Sequence, residues 1–374
     1  MGVTARLARF AARRPRVHLV TALGGTPARL STEVVLRRRG WPIVASPTAA
    51  GLLVVCGEPD AVVERACATV WDDLPSPRGR AVIPPDAPSE RITTLLDEAA
   101  MTLGDADLQR VDALDHPMTP FEPAMADRGP DRDGLRLDRL HVPLGPVLAH
   151  WPAGLVVRTT LQGDVIEEAE IPSRLPTGTD GGSFWDEPWR RSAAGETVSR
   201  GAAERRRAAA HLDGLARFLS LAGWEAAAGP ARRLRDGLLA EAPAGEVGPR
   251  IRRLCRRVGR SRVLSWMTRG LGVIDEEPVA RYGLVGPAAR HPGDVAARIH
   301  GWLEEIEAAV ARLDDEEALD DLEGPRGPVD QRPSAGLVEV LPAVVTGAEL
   351  AGARLIVASL DPDLDQLAVE VARV

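Results

Sequence analysis

Seven histidines, at positions 18, 116, 141, 150, 211, 291 and 300, and three cysteines, Cys56, Cys67 and Cys255, are the side chains best suited to hold metals or move protons. No two histidines form an H-x-x-x-H pair and no two cysteines a C-x-x-C pair, so no zinc site or redox dithiol is expected. Asp115-His116-Pro117-Met118 is at most a place for a stray metal. Asp361, Asp363 and Asp365 alternate like the start of a calcium loop, but the sixth and twelfth loop positions hold Gln366 and Ala372. That reading is rejected. No serine, histidine and acid share the context of a nucleophile elbow. Gly24-Gly25 stands between a strand pattern and a helix start, where free amides and the helix dipole could receive a phosphate. Without G-x-G-x-x-G or a P-loop lysine, a plain tight turn is favoured.

The elements that would carry these residues divide the chain. Val17–Ala22 reads as a strand, and Gly24-Gly25 turns the chain. Thr26 can cap a helix that Pro27 opens and Gly40 stops. Pro42–Ala45 and Leu52–Gly57 read as buried strands, Asp60–Trp71 as a helix and Arg80–Ile83 as a short strand. Residues 1–101 are thus expected to form a doubly wound α/β domain of flavodoxin-like type. Residues 102–137, with Pro117, Pro120, Pro123, Pro130 and a dense run of charge, read as a linker. Residues 138–374 read as an α+β, mainly helical domain opened by a hairpin around Gln162-Gly163. Within it, Ile251, Leu254, Cys255 and Val258 make an apolar helical face, with Arg252, Arg253, Arg256, Arg257 and Arg260 opposite. That arginine face could bind phosphate, but a solvated or partner-facing helix paired with the acids of 314–323 is the favoured reading. Ile299, Trp302, Leu303, Ile306, Val310 and Leu313 form a second buried stripe, and Ala353–Ser359 could add a strand. Cys56, Cys67 and Cys255 all fall on apolar surfaces and read as core residues.

Composition sets outer bounds. The 374 residues suffice for two domains with their own cores, and 44% apolar with 27% charged residues describes a globular chain. All 46 basic side chains are arginines, against 54 acids. The net charge of −8 argues against general nucleic-acid binding. Three cysteines cannot supply a disulfide framework or the four thiolates of an iron–sulfur cluster. The arginine-rich start, with Arg6, Arg9, Arg13 and Arg14, lacks the apolar run of a signal peptide. It reads as a solvated terminus in preference to a lipid-touching helix. The longest uncharged stretch, Trp41 to Gly57, falls short of the ~20 residues of a spanning helix.

Two stretches carry a resemblance. Ser265-Trp-Met-Thr-Arg-Gly-Leu-Gly-Val-Ile-Asp-Glu-Glu-Pro-Val-Ala-Arg-Tyr-Gly-Leu-Val-Gly-Pro287 resembles a segment of the D-type, quinone-site subunit of NADH:quinone oxidoreductase (complex I). The large subunits of related membrane-bound nickel–iron hydrogenases share that segment. In it the glycines permit close turns, Asp275 can cap the next helix, and Gly286-Pro287 can redirect the chain. Val142-Pro-Leu-Gly-Pro-Val-Leu-Ala-His150 and the hairpin through Ala169 are similar to that subunit's opening hairpin, and Gly293–Arg298 with the helix after it is also similar. The first domain resembles the B-type subunit, which carries the terminal 4Fe–4S cluster, through Val44–Gly57 and Leu74–Val82.

The resemblance implies a chain placed in a membrane-associated, complex I-like assembly, cytoplasmic and peripheral to the inner face of the cell membrane. Its partners would be complex I-like or antiporter-like membrane subunits. The family's adjacent cysteine pair falls at Gly24-Gly25 and its later cluster cysteines near Ile83–Pro88, where this chain has none. Nickel ligation in the family takes two C-x-x-C pairs, and the second half here holds one cysteine. The expected chain is therefore structural and catalytically degenerate, with no catalytic residue, no metal ligand and no cofactor of its own. His150 stands one residue out of step with the family's quinone histidine, and no tyrosine matches its partner, since Tyr282 lies inside the other motif. The alternatives are a quinone-site subunit fed electrons by another protein, with His150 in the pocket, and a phosphate- or nucleotide-binding regulator.

Overall fold

The computed structural model describes residues 13–116, 127–130, 136–172 and 182–367, so the N-terminal arginine segment up to residue 12 and most of the linker prolines lie outside it. The described residues fall into two compact units. One takes in 13–116 with 145–155; the other takes in 127–130, 136–144, 156–172 and 182–367.

In the first unit, β1 (Val17–Thr21), β2 (Leu52–Cys56) and β3 (Gly79–Ile83) form a parallel sheet in that order. Strand period places successive side chains on opposite faces. Leu52, Val54 and Cys56 pack with α1 (Thr26–Arg39) and α3 (Ser89–Gly104), while Leu53 and Val55 pack with α2 (Ala61–Asp73). The expected strand Pro42–Ala45 is reduced to a single parallel bridge between Val17 and Ile43, and Ile43 is exposed. Trp41 turns into the core, and the segment keeps two sheet bonds to β1, from Val17 N to Pro42 O and from Val44 N to Val17 O. Counting that bridge, the chain crosses the sheet in the order second, first, third, fourth. Helix α1 begins one residue before the expected Pro27, at Thr26, and stops as expected at Gly40, whose φ of 67° is left-handed. The capping position falls on Gly25 and not on Thr26, and no side chain caps there.

The expected linker opens with a helix, α4 (Ala106–Asp115). Asp105 caps it by accepting from Asp107 N and Leu108 N, and Gln109 exchanges bonds of 2.7 Å with the backbone of Arg78. Buried Arg78 in turn donates to both oxygens of Asp112. These polar ties hold a segment whose apolar residues Leu108, Val111 and Leu114 are exposed, which is why hydrophobic periodicity did not reveal it. Residues 145–155, placed by sequence in the second domain, pack with this unit: His18 Nε2 donates to Val147 O at 3.0 Å.

The second unit begins with an antiparallel sheet, β4 (Asp127–Pro130), β5 (Arg136–Leu144), β6 (Val157–Gln162) and β7 (Val165–Glu170), the last two joined through Gly163 at φ 64°. Its body is helical: α5 (Glu187–Ala193), α6 (Arg200–Leu221), α7 (Glu225–Leu239), α8 (Ala244–Gly259), α9 (Arg262–Thr268), α10 (Glu276–Arg281), α11 (Gly286–Arg290) and α12 (Val295–Val310) lead to a small ribbon. The ribbon is β8 (Glu323–Gly324) and β9 (Gly327–Pro328), and α13 (Ser334–Val345) and α14 (Leu350–Leu360) close the unit. Helix α6 runs through the middle, with alanines and leucines that let α7, α12 and α14 approach it closely.

Three expectations change here. The strand expected over Ala353–Ser359 is the core of α14, in which Ala353, Leu355, Ile356, Val357 and Ala358 are all buried. A continuous apolar run lacks periodicity and cannot tell a buried helix from a buried strand; the eleven-residue length decides it. The acids of 314–323 do not pair with the arginine face of α8. Asp315, Glu317 and Asp320 surround Arg200, and Asp314 reaches Arg205, because this stretch bonds the start of α6 through Arg200 N to Glu317 O and Gly201 N to Asp315 O. Asp275 stands at the N-cap of α10 without making a side-chain capping bond.

Candidate functional site

The core of the helical unit contains charge. Apolar periodicity alone would make α6 a plain buried helix, yet Arg207, His211 and Asp213 are buried on it, and Arg217 extends the same stretch. Gly214 leaves room for Asp361: a Cβ there would lie 3.2 Å from Asp361 Oδ2. Asp361 ends α14 in the left-handed conformation, which swings the following residues back across the unit.

A chain of alternating charges follows. Arg235 of α7 donates to Asp213 Oδ1 at 2.6 Å, with both side chains excluded from solvent. Asp213 Oδ2 faces Arg217 Nε at 3.4 Å, and Arg217 donates to Asp361 Oδ1. Arg326, on the turn between β8 and β9, donates to Asp361 Oδ2 at 2.5 Å and to Asp361 O at 2.6 Å, and faces Asp363 at 3.6 Å. Each buried charge is thus met by an opposite one, the condition for burial at all. The glycine motif supports this arrangement. A Cβ on Gly286 would lie 2.2 Å from Arg326 O, and Gly286 has φ 65°, so only glycine allows the turn to sit there.

Two polar pairs spaced i, i+3 close the far end. Ser183 donates to Asp363 Oδ2 at 2.7 Å, and Gln366 Nε2 donates to Asp186 Oδ2 at 2.7 Å. Ser334 ties the second pair together, its hydroxyl donating to Gln366 Oε1 and accepting from Asp363 N. All four pair members face inward because Ser183 and Asp186 flank the start of α5, while Asp363 caps the short 3-10 turn that holds Gln366. Burial, with the neighbouring charge of Asp363, pushes the Asp186 carboxyl up to about 6. Burial pushes His211 down to about 3, so its ring is neutral.

The donors here are hydroxyl, amide and guanidinium, and they engage the carboxylates of Asp213, Asp361 and Asp363 and one oxygen of Asp186. Among the described residues no cluster of three histidine, cysteine or acidic side chains could hold a metal ion. Oxygen and amide groups are also poor ligands for soft metals. The arrangement positions helices and stores charge; it presents no nucleophile beside a free base.

The residues singled out by sequence lie elsewhere. His150 is half-buried in the first unit, in the left-handed conformation at φ 62°, beside Trp151, whose ring donates to Leu155 O. Tyr282 ends α10 with the Arg281 guanidinium over its ring. Cys56, Cys67 and Cys255 are buried, and burial pushes their thiols up to about 12, 11 and 12, so none is poised to react. Gly24-Gly25 is filled by backbone: a Cβ on Gly25 would lie 2.1 Å from Cys56 O. The missed residues had a signal, namely polar side chains recurring on an alanine-rich helix and two polar pairs at i, i+3.

No helix among the described residues is long and apolar enough to cross a membrane. No protein-family model matches this chain, and no curated protein does. Among solved structures it is similar to a chain of the membrane-bound sulfane sulfur reductase (MBS), an archaeal respiratory membrane complex. That likeness has a TM-score of 0.42 and 15% identity, over 61% of this chain and 98% of the other.

Proposed function

We propose that this chain is a fused, catalytically degenerate relative of the B-type and D-type subunits, serving as a structural part of a membrane-associated, complex I-like assembly. One observation carries the reading. The family's nickel chemistry takes two C-x-x-C pairs, and this chain brings two pairs of the same i, i+3 spacing face to face, as Ser183/Asp186 and Asp363/Gln366. They bond each other directly, which supports a centre that has kept a frame of that spacing without its chemistry. The first unit supports the same reading. At Gly25, where the family's cysteine pair falls, a Cβ would strike the Cys56 carbonyl, so a thiolate has no room. The order of its sheet, with helices on both faces, supports a doubly wound, flavodoxin-like domain. In this reading the chain holds neither iron nor nickel, and its partners are membrane subunits.

Purification of the tagged chain from membranes of its native host tests this. Co-elution with antiporter-like membrane subunits, and less than a tenth of an iron or nickel per chain, is the expected result. One iron–sulfur cluster or one nickel per chain would overturn the degenerate part, and recovery wholly apart from membrane proteins would overturn the assembly.

A further inference from the structure

The helical unit forms a partly open pocket with about 20 Å³ of free space, lined by His211, Arg298, Trp302, Arg326, Ser359 and Asp361, among others. A space of that size admits one water or one monatomic ion. Three buried nitrogens on its wall, His211 Nε2, Arg298 Nη2 and Arg326 Nη1, find no hydrogen-bond partner among the described residues. They come from three separate elements, α6, α12 and the β8–β9 turn, so their convergence is a property of the fold and not of one helix end.

The unsatisfied atoms around the cavity are nitrogens, which one shared acceptor would satisfy. Arg298 is buried, and its other bonds go to neutral oxygens, Ser359 Oγ at 3.0 Å and Gly293 O at 2.9 Å. The carboxylate that influences it, Asp294, already accepts from Gly270 N and Ala297 N. Asp361 also lines the cavity, but Arg217 and Arg326 take its two oxygens. Glu305, near His211, accepts from Arg290 at 2.7 Å, and Arg207 faces His211 from the same helix. Asp294 acts on Arg298 through its charge and accepts no bond from it; a buried donor left without an acceptor is costly, and a small anion is the partner that the three nitrogens could share.

We propose that His211, Arg298 and Arg326 form a buried site for a single small anion of chloride size, which serves as the acceptor that their three nitrogens share. The site is independent of the assembly reading above.

Thermal unfolding of the purified chain in chloride against gluconate, at constant ionic strength, tests it. The expected result is a saturable rise in Tm of about 2–4 °C with chloride. Equal Tm values in the two salts overturn the proposal. Arg298→Gln should abolish the increment, and its persistence in that variant would place the chloride effect elsewhere and overturn the site. Should Arg298→Gln fail to fold, diffraction from wild-type crystals grown in bromide decides. An anomalous peak within hydrogen-bond distance of Arg298 Nη2 supports the site, and water-level density without anomalous signal overturns it.

Discussion

The Ser183 hydroxyl donates to Asp363 Oδ2 at 2.7 Å, a bond that joins positions 180 residues apart in the chain. Asp363 also faces Arg326, so one carboxylate links the loop before α5 to the ion chain running back to Arg235. The bond orders two distant segments at once. Its entropic cost is repaid by the buried partners that it saturates.

Asp186, three residues on from Ser183, gives the centre a pH dependence. Its folded carboxyl titrates at about 6, above its ordinary value of 3.8. Between those values the folded state holds the proton more tightly than the unfolded state, so stability falls as pH rises from about 4 to about 6. The shift corresponds to about 3 kcal/mol of destabilisation present at neutral pH. Asp186→Asn keeps an oxygen for Gln366 and removes the charge. It should raise stability at pH 7 and flatten the slope between pH 4 and 6, read by urea unfolding at several pH values. A variant with the wild-type slope would show that another group is responsible.

The Asp213–Arg235 pair predicts a different pattern. Both side chains are fully buried, so truncating one leaves the other with only its second partner, Arg217 for Asp213 and Asp236 for Arg235. Asp213→Leu or Arg235→Met alone should cost about 3–5 kcal/mol, while the double substitution should recover most of that loss. Chemical denaturation of the three variants measures the coupling. Additive losses would mean that the pair is not a unit.

The ion chain explains what sequence could and could not reveal. Strands β1, β2 and β3 and helix α1 were legible because apolar runs, Pro27 and Gly40 mark them locally. Helix α14 was not, since Ala353–Ser359 is apolar on every face and its conformation depends on what covers it. The centre itself was nearly silent. Ser183, Arg298, Arg326 and Asp363 lie far apart in sequence, and each alone resembles an ordinary surface residue. Only their burial, fixed by long-range packing, turns them into partners. His150 was visible as a histidine near a recognisable turn, which says little of its surroundings.

The glycines of the first unit separate a conformational need from a steric one. Gly40 has φ 67° with open space about it, so Gly40→Ala should cost only about 1 kcal/mol through backbone strain. Gly25 has no such φ, yet a Cβ there would sit 2.1 Å from Cys56 O and 2.9 Å from Ala22 O, both backbone atoms. Neither can give way without moving β2 or the turn. Gly57 presses on the same point, its own Cβ position lying 2.7 Å from Gly25 Cα. Gly25→Ala should therefore cost more than the ~1–3 kcal/mol typical of overpacking. Gly25→Cys should be no better tolerated, since its Cβ meets the same two carbonyls. Circular dichroism melts of Gly40→Ala, Gly25→Ala and Gly25→Cys give the comparison. A Gly25→Cys chain that melted like wild type would show that the backbone relaxes around position 25.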